Sequence, residues 1–159
     1  MISVTSVTGD YILQPSLLEK HRKTLDWLSS TILWQRECNF FQKLLDQYAP
    51  KLTDDNEKKK LGHFQSLIIY YRDELIIDLR KKLRDHENHL ADMLKTKDEL
   101  KTQFFKEHDT IMMELEAFNV NFDELKHEHF SSIEKVTWLF PLLEHTLTKI
   151  SSQLDYIHS

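Results

Sequence analysis

The chain has 159 residues, of which 40% are hydrophobic and 30% charged, and its formal net charge is −5. This length fits one ordinary domain that buries a core and stays soluble, and the acidic balance argues against a basic nucleic-acid-binding surface. Two glycines and three prolines leave few residues for loops, which usually hold catalytic groups, so a classical enzyme is not favoured.

Residues 1–14 are predicted to form an N-terminal arm of a single helical-bundle domain that covers residues 1–159. Pro15 and Ser16 favour the start of a first helix, because proline fits the first turn and serine can cap it. Pro50 ends this helix, since the residue before a proline is pushed out of the α region. We therefore expect a first helix over residues 16–48.

A second helix is predicted to begin near Asp54, where acidic residues complement the helix dipole. From residue 61 to residue 118, mostly apolar residues recur in steps of three and four, which is typical of a heptad seam, with one extra step that shifts the phase. His86 also falls on this seam, and Lys97, Glu107 and Glu114 weaken it. One interpretation is a continuous helix over residues 57–118. The other, which we favour, is a turn near residues 95–98, where Thr96 and Glu99 have the spacing of a capping box.

The turn gives further helices over residues 54–94, 97–118 and 122–157, with a break at residues 119–121 and a kink at Pro141. Four amphipathic segments with short connections predict an all-α, up-down-up-down antiparallel four-helix bundle. The alternative is a three-helix bundle with one very long coiled-coil helix spanning residues 57–118. In the four-helix version the third helix is the shortest, so the longer helices would project past it and offer a dimer surface.

Nine histidines are the compositional oddity of the chain. In an antiparallel bundle, the start of the first helix, the end of the second and the start of the third share one end, which brings four histidines within roughly 10 Å of each other along the axis. Imidazole is a ligand for Zn²⁺ and other transition metals. The hypothesis is a metal site formed by His21, His86, His89 and His108; the alternative is that each forms one hydrogen bond and binds no metal.

Other metal-site patterns are not supported. A carboxylate di-metal bundle needs two Glu-x-x-His pairs, and the chain has one, Glu124 with His127, which projects away from the predicted core face. The His-Glu-x-x-His pattern of a metalloprotease helix does not occur. These observations leave the histidine-rich end as the candidate site.

The cellular compartment of the protein is inferred from its cysteine content and its hydropathy. Cys38 has no second cysteine to pair with, which fits a reducing compartment. No charged leader precedes an apolar core at the N-terminus, and no apolar run approaches the ~20 residues that a membrane-spanning helix needs. We therefore expect a cytoplasmic protein with neither a membrane nor a nucleic-acid partner.

Two functional hypotheses follow from these features. The first is a non-catalytic interaction or structural module that binds itself, as a homo-oligomer, or another helical protein. The second is a bundle that binds zinc or another transition metal at its histidine-rich end, where catalysis would also need an open coordination position. The first is favoured, because a helical bundle alone does not imply chemistry.

Overall fold

The computed structural model describes residues 15–96 and 101–138. Over these two ranges the chain is helical and contains no strand, and none of the helices is long and apolar enough to cross a membrane. The predicted N-terminal arm and the part of the last predicted helix beyond residue 138 lie outside the described residues. The helices are α1 (Pro15–Tyr48, followed by a 3₁₀ turn at Ala49–Lys51), α2 (Asp55–Tyr70, a π turn at Tyr71–Leu75, and Ile76–Thr96) and α3 (Lys101–Trp138).

The start of α2 is confirmed where the acidic residues predicted it. The Asp54 carboxylate accepts hydrogen bonds from the backbone N–H groups of Asn56, at 2.8 Å, and Glu57, at 3.3 Å. These bonds satisfy two of the N–H groups that the first turn of a helix leaves without partners. The end of α1 also lies where Pro50 predicted it.

Helices α1 and α2 are antiparallel. Near one end, the Gln65 amide donates to the Asp46 carboxylate at 2.9 Å, and near the other, His21 Nδ1 lies 2.8 Å from Glu87 Oε2. Residue numbers therefore rise along α1 as they fall along α2.

Helices α2 and α3 are also antiparallel. His86 Nδ1 lies 2.8 Å from Glu107 Oε1, and Lys82 Nζ lies 2.8 Å from Glu114 Oε2. In one straight helix, residues 86 and 107 would be about 30 Å apart at 1.5 Å per residue. The two helices therefore run in opposite directions, so one continuous helix over residues 57–118 is wrong, although the three-helix count of that alternative is compatible with the described residues. The predicted turn near residues 95–98 lies partly outside the described residues.

The break predicted at residues 119–121 is also wrong, because α3 continues through them. Phe118 and Phe122 are both buried and lie one turn apart on the same face, so a continuous helix keeps both rings in the core. The third described helix has 38 residues, so the overhang predicted past a short third helix is not present in this part of the chain. The all-α class is confirmed; the four-helix bundle is not, since the described residues form three helices.

The phase shift in the apolar seam corresponds to the π turn within α2. Ile68 and Ile76 are both buried, and they are one residue further apart than a heptad would place them. A π turn accommodates one extra residue without ending the helix. The seam therefore stays directed at the core on both sides of the turn.

A layer of buried polar side chains divides the apolar core. His86 and His108 are buried on facing sides of α2 and α3, and Thr24 is buried at the corresponding level of α1. On one side of this layer lies a small apolar cluster, and on the other the main cluster, which includes Phe64 and Phe122. The small cluster comprises Leu17, Leu90, Ala91, Met93 and Phe104.

Proline substitution tests the continuity of α3. Val120 is an exposed residue in the middle of this helix, so Val120→Pro removes a ladder hydrogen bond and should lower the free energy of unfolding by roughly 3 kcal/mol or more. Urea denaturation followed by circular dichroism measures the change. Thr53→Pro is the control, because Leu52 before it already has the extended backbone, ψ 140°, that a following proline requires. If the two proline substitutions lowered the free energy of unfolding equally little, residue 120 would not lie within a helix.

Candidate functional site

The histidine cluster consists of His86, His89, Glu107 and His108, and it lies where α2 and α3 approach their connection. The His86 ring is fully buried and stacks on the Phe104 ring, with ring centroids 4.3 Å apart and planes 4° apart. His89, one turn further along α2, is exposed. The cluster therefore extends from solvent to the polar layer of the core.

Glu107 joins two of the histidines through one carboxylate. Its Oε1 atom lies 2.8 Å from Nδ1 of both His86 and His89, and its Oε2 atom lies 3.0 Å from His89 Nδ1. Burial acts to raise the pKa of this carboxyl group, but the hydrogen bonds and the charges of the two imidazoles outweigh burial, so the net pKa is lowered. Glu107 is therefore ionised at neutral pH and accepts both hydrogen bonds.

The hydrogen bonds of His86 determine its tautomer. An ionised Glu107 can only accept, so His86 Nδ1 carries the proton that faces it. In a neutral imidazole the other nitrogen is then an acceptor, and His86 Nε2 lies 2.9 Å from His108 Nδ1. His108 Nδ1–H therefore donates to His86, and His86 Nδ1–H donates to Glu107. Both N–H groups in this series of hydrogen bonds point from the core toward the Glu107 carboxylate.

Both buried imidazoles are held in their neutral form. Burial lowers the pKa of His86 and outweighs the opposing effect of Glu107. Burial, followed by electrostatic interaction with the His86 ring and with Lys20, lowers the pKa of His108 from 6.5 to about 4. A proton added at His86 Nε2 would reverse this hydrogen bond, because His108 would then have to accept at Nδ1 and carry its own proton on Nε2.

His21, the fourth histidine of the predicted set, does not join this cluster. Its Nδ1 atom lies 2.8 Å from Glu87 Oε2, and both side chains are largely buried between α1 and α2. Burial raises the pKa of Glu87, although His21 opposes the rise. The structure therefore brings three of the four predicted histidines together and gives the fourth a separate carboxylate partner.

Glu107 is the member of the cluster that sequence reasoning missed. Glu107 falls on a seam position of α3, and a charged residue there only counted against a continuous apolar seam. The available signal was a carboxylate and a histidine, His86, both on seam positions flanking a predicted turn. Among the described residues, no three His, Cys, Asp or Glu side chains are arranged to hold a metal ion. The metal site stays a prediction.

A cleft of about 290 Å³ opens beside the exposed end of the cluster. His89 and Glu107 lie in its wall, whereas His108 is buried behind them. A group bound in the cleft would therefore contact the carboxylate that ends the hydrogen-bond chain. The lining consists of His89, Asp92, Met93, Thr96, Gln103, Phe104 and Glu107.

A second feature lies on the side of α1 that faces away from α2 and α3. Leu25, Ile32, Leu33 and Phe40, here called the outer stripe, are exposed to between 44% and 62%. At about 100° per residue these four side chains share one face of the helix, opposite the buried Trp34. Single exposed apolar residues are ordinary, whereas these four together form an exposed apolar patch on one helix face.

No family model, curated protein or solved structure matches this chain. Its function is therefore inferred from the histidine cluster and the outer stripe.

Neutral His108 makes stability depend on pH. Because its folded pKa, about 4, lies below its ordinary value of 6.5, its contribution is fully present above pH 6.5 and is lost as the pH falls toward 4. In His108→Asn this loss is absent, so between pH 7 and pH 4 the variant should lose roughly 2 kcal/mol less stability than the parent. Urea denaturation at stepped pH measures both slopes.

His127→Asn is the matched control for this experiment. His127 is exposed, and its Nδ1 atom lies 2.7 Å from the Asp123 carbonyl oxygen of its own helix. This variant should keep the pH slope of the parent. Parallel slopes for the parent and His108→Asn would contradict a buried neutral histidine.

Proposed function

We propose that this chain is a non-catalytic helical-bundle interaction module that binds another helix, from a second copy or a different helical protein, along the outer stripe. The observation that supports the proposal is the exposed apolar line on the face of α1 that lies away from both other helices. It runs from Leu25 to Phe40, about 22 Å at 1.5 Å per residue, the length of a helix-packing contact.

The distribution of apolar and polar residues around α1 is unusual for a helix on the outside of a small bundle. Such a helix normally places polar residues on its solvent side, whereas α1 exposes large apolar residues there. On α2 and α3 the large exposed apolar residues occur singly or in pairs, as with Met113 and Val120 on α3. Covering the outer stripe removes apolar area from water, at about 25 cal/mol per Å², which provides the driving force for helix binding.

A designed peptide tests this proposal. The probe is an amphipathic helix of about 18 residues, with leucines at helical spacing, glutamines elsewhere and a fluorophore at one end. We expect saturable binding in fluorescence anisotropy. The double substitution Leu33→Gln and Phe40→Gln should weaken it at least about tenfold, because it removes two apolar anchors.

The matched control is the double substitution Met113→Gln and Val120→Gln, which removes two equally exposed apolar residues from α3. It should leave the affinity unchanged. Equal weakening by both double variants would show that the peptide adheres to apolar surface in general and would contradict a specific surface on α1.

Thiol labelling identifies what covers the stripe in the protein alone. Cys38 is fully buried, and burial and the nearby Glu37 raise its pKa to about 12, so it stays unreactive in the folded chain. In Leu33→Cys the new thiol should react rapidly in dilute protein. Protection that grows with protein concentration would identify a second copy as the partner. Protection at every concentration would mean that the chain covers its own stripe, against the proposal.

We propose metal binding at the histidine cluster as a second candidate function. It rests on the proximity of His86, His89 and Glu107, since Glu107 Oε1 lies 2.8 Å from Nδ1 of both histidines; the three side chains would have to rearrange to hold an ion. Two imidazoles and a carboxylate are a donor set that zinc accepts. Binding would replace the protons that the two histidines donate to Glu107, with His108 hydrogen-bonded to His86. His21, which is paired with Glu87, would lie outside this donor set.

Elemental analysis by mass spectrometry of tag-free protein, purified without chelator, tests this second candidate. It predicts a near-stoichiometric transition metal that is lost in His86→Ala and kept in His127→Ala, whose histidine is exposed on α3. It also predicts a higher melting temperature on addition of Zn²⁺, because a ligand that binds the folded state stabilises it. No bound metal and an unchanged melting temperature would exclude it.

A further inference from the structure

We infer that the partner of the outer stripe is an acidic amphipathic helix of a different chain, an inference that rests on the proposed function. Charge on the same face of α1 supports it. At about 100° per residue, Arg22, Arg36 and Lys43 share the side of the helix that carries the four apolar residues. The nearest carboxylate, Asp26, lies at the edge of this face. A chain with a net charge of −5 thus has a basic apolar surface here.

These three cations are available to a partner. All three are exposed, and none forms an ion pair with a carboxylate in the described part of the chain. Some other cations of the bundle are paired with carboxylates; for example, Lys126 Nζ lies 2.7 Å from Glu37 Oε2. Glutamates or aspartates beside the apolar residues of an incoming helix would complement this surface and guide its approach.

A second copy of this chain fits the surface poorly. In an antiparallel pairing that matches Leu25 with Phe40, Arg22 would lie opposite Lys43. In a parallel pairing, each cation would lie opposite its counterpart. Either arrangement places like charges together across an apolar contact, which disfavours that partner.

An anionic membrane fits less well than an acidic helix. The negative net charge opposes approach of the whole bundle to an anionic surface. The middle of the stripe is also interrupted by Arg36, next to Ile32 and Leu33 on the same face. A partner helix can place a glutamate at that level between two apolar side chains, whereas a lipid surface has no fixed register with the stripe.

Three peptides test the inference on the full chain. They share one set of leucines and differ at the flanking positions, which are glutamate, glutamine or lysine. At low ionic strength we expect the glutamate peptide to bind about tenfold more tightly than the glutamine peptide, and the lysine peptide to bind most weakly. Raising the salt concentration should reduce these differences, because the charges are exposed.

Two triple variants separate local charge from net charge. Arg22→Gln, Arg36→Gln and Lys43→Gln together should abolish the preference for glutamate while the glutamine peptide binds as before. Lys58→Gln, Lys59→Gln and Lys81→Gln together remove three exposed cations from α2 and should preserve the preference.

The outcomes distinguish this inference from the proposed function. Equal binding of the three peptides would overturn the acidic partner and leave helix binding in place, whereas no binding of any peptide would overturn both. Sedimentation showing self-association that excludes the glutamate peptide would identify a second copy. Binding to phosphatidylcholine vesicles containing phosphatidylserine, without peptide binding, would identify a membrane surface. Either result would overturn the inference.

Discussion

The hydrogen bond between His86 and His108 is the constraint on which the alignment of α2 and α3 depends. Apolar side chains tolerate a shift of one helical turn, because another apolar residue arrives at the same place. Two buried imidazoles do not, since a shift would leave ring nitrogens without partners in the core. Glu107 extends the constraint to the surface by accepting from His86 and His89 together. The polar layer therefore fixes the register of α2 against α3. The apolar clusters on either side of it supply the stabilisation that comes from burying apolar surface.

Helix α1 is aligned by other means, and the difference explains its exposed face. Arg80 donates to the Thr31 carbonyl oxygen at 3.2 Å and to the Gln35 side chain at 2.9 Å, and Arg72 donates to the Gln42 side chain. These guanidinium groups reach α1 along its boundary with α2, and Trp34 and its neighbours on the inner face supply the packing. Neither arrangement uses the outer face of α1, whose apolar side chains stay exposed in the described part of the chain.

The sequence predicted the features that depend on local chemistry. Asp54 marked the start of α2 and Pro50 the end of α1. The break at residues 119–121 failed because the weak helix propensity of asparagine is smaller than the gain from burying two phenylalanines on one continuous face. The role of Glu107 depends on which residue of α2 lies opposite it, and periodicity within one helix does not contain that information.

The π turn in α2 sets the rotation of the second half of this helix relative to the first half. The turn takes up the extra residue between Ile68 and Ile76, so the residues before and after it still face the core. Deleting one residue from the turn itself would therefore leave a regular helix in which His86 still faces His108. Deleting one residue between Ile76 and His86 would instead turn the imidazole by about 100° relative to the first half of the helix. The middle of α2 is thus a place where the chain can change its length by one residue without changing which side chains are buried.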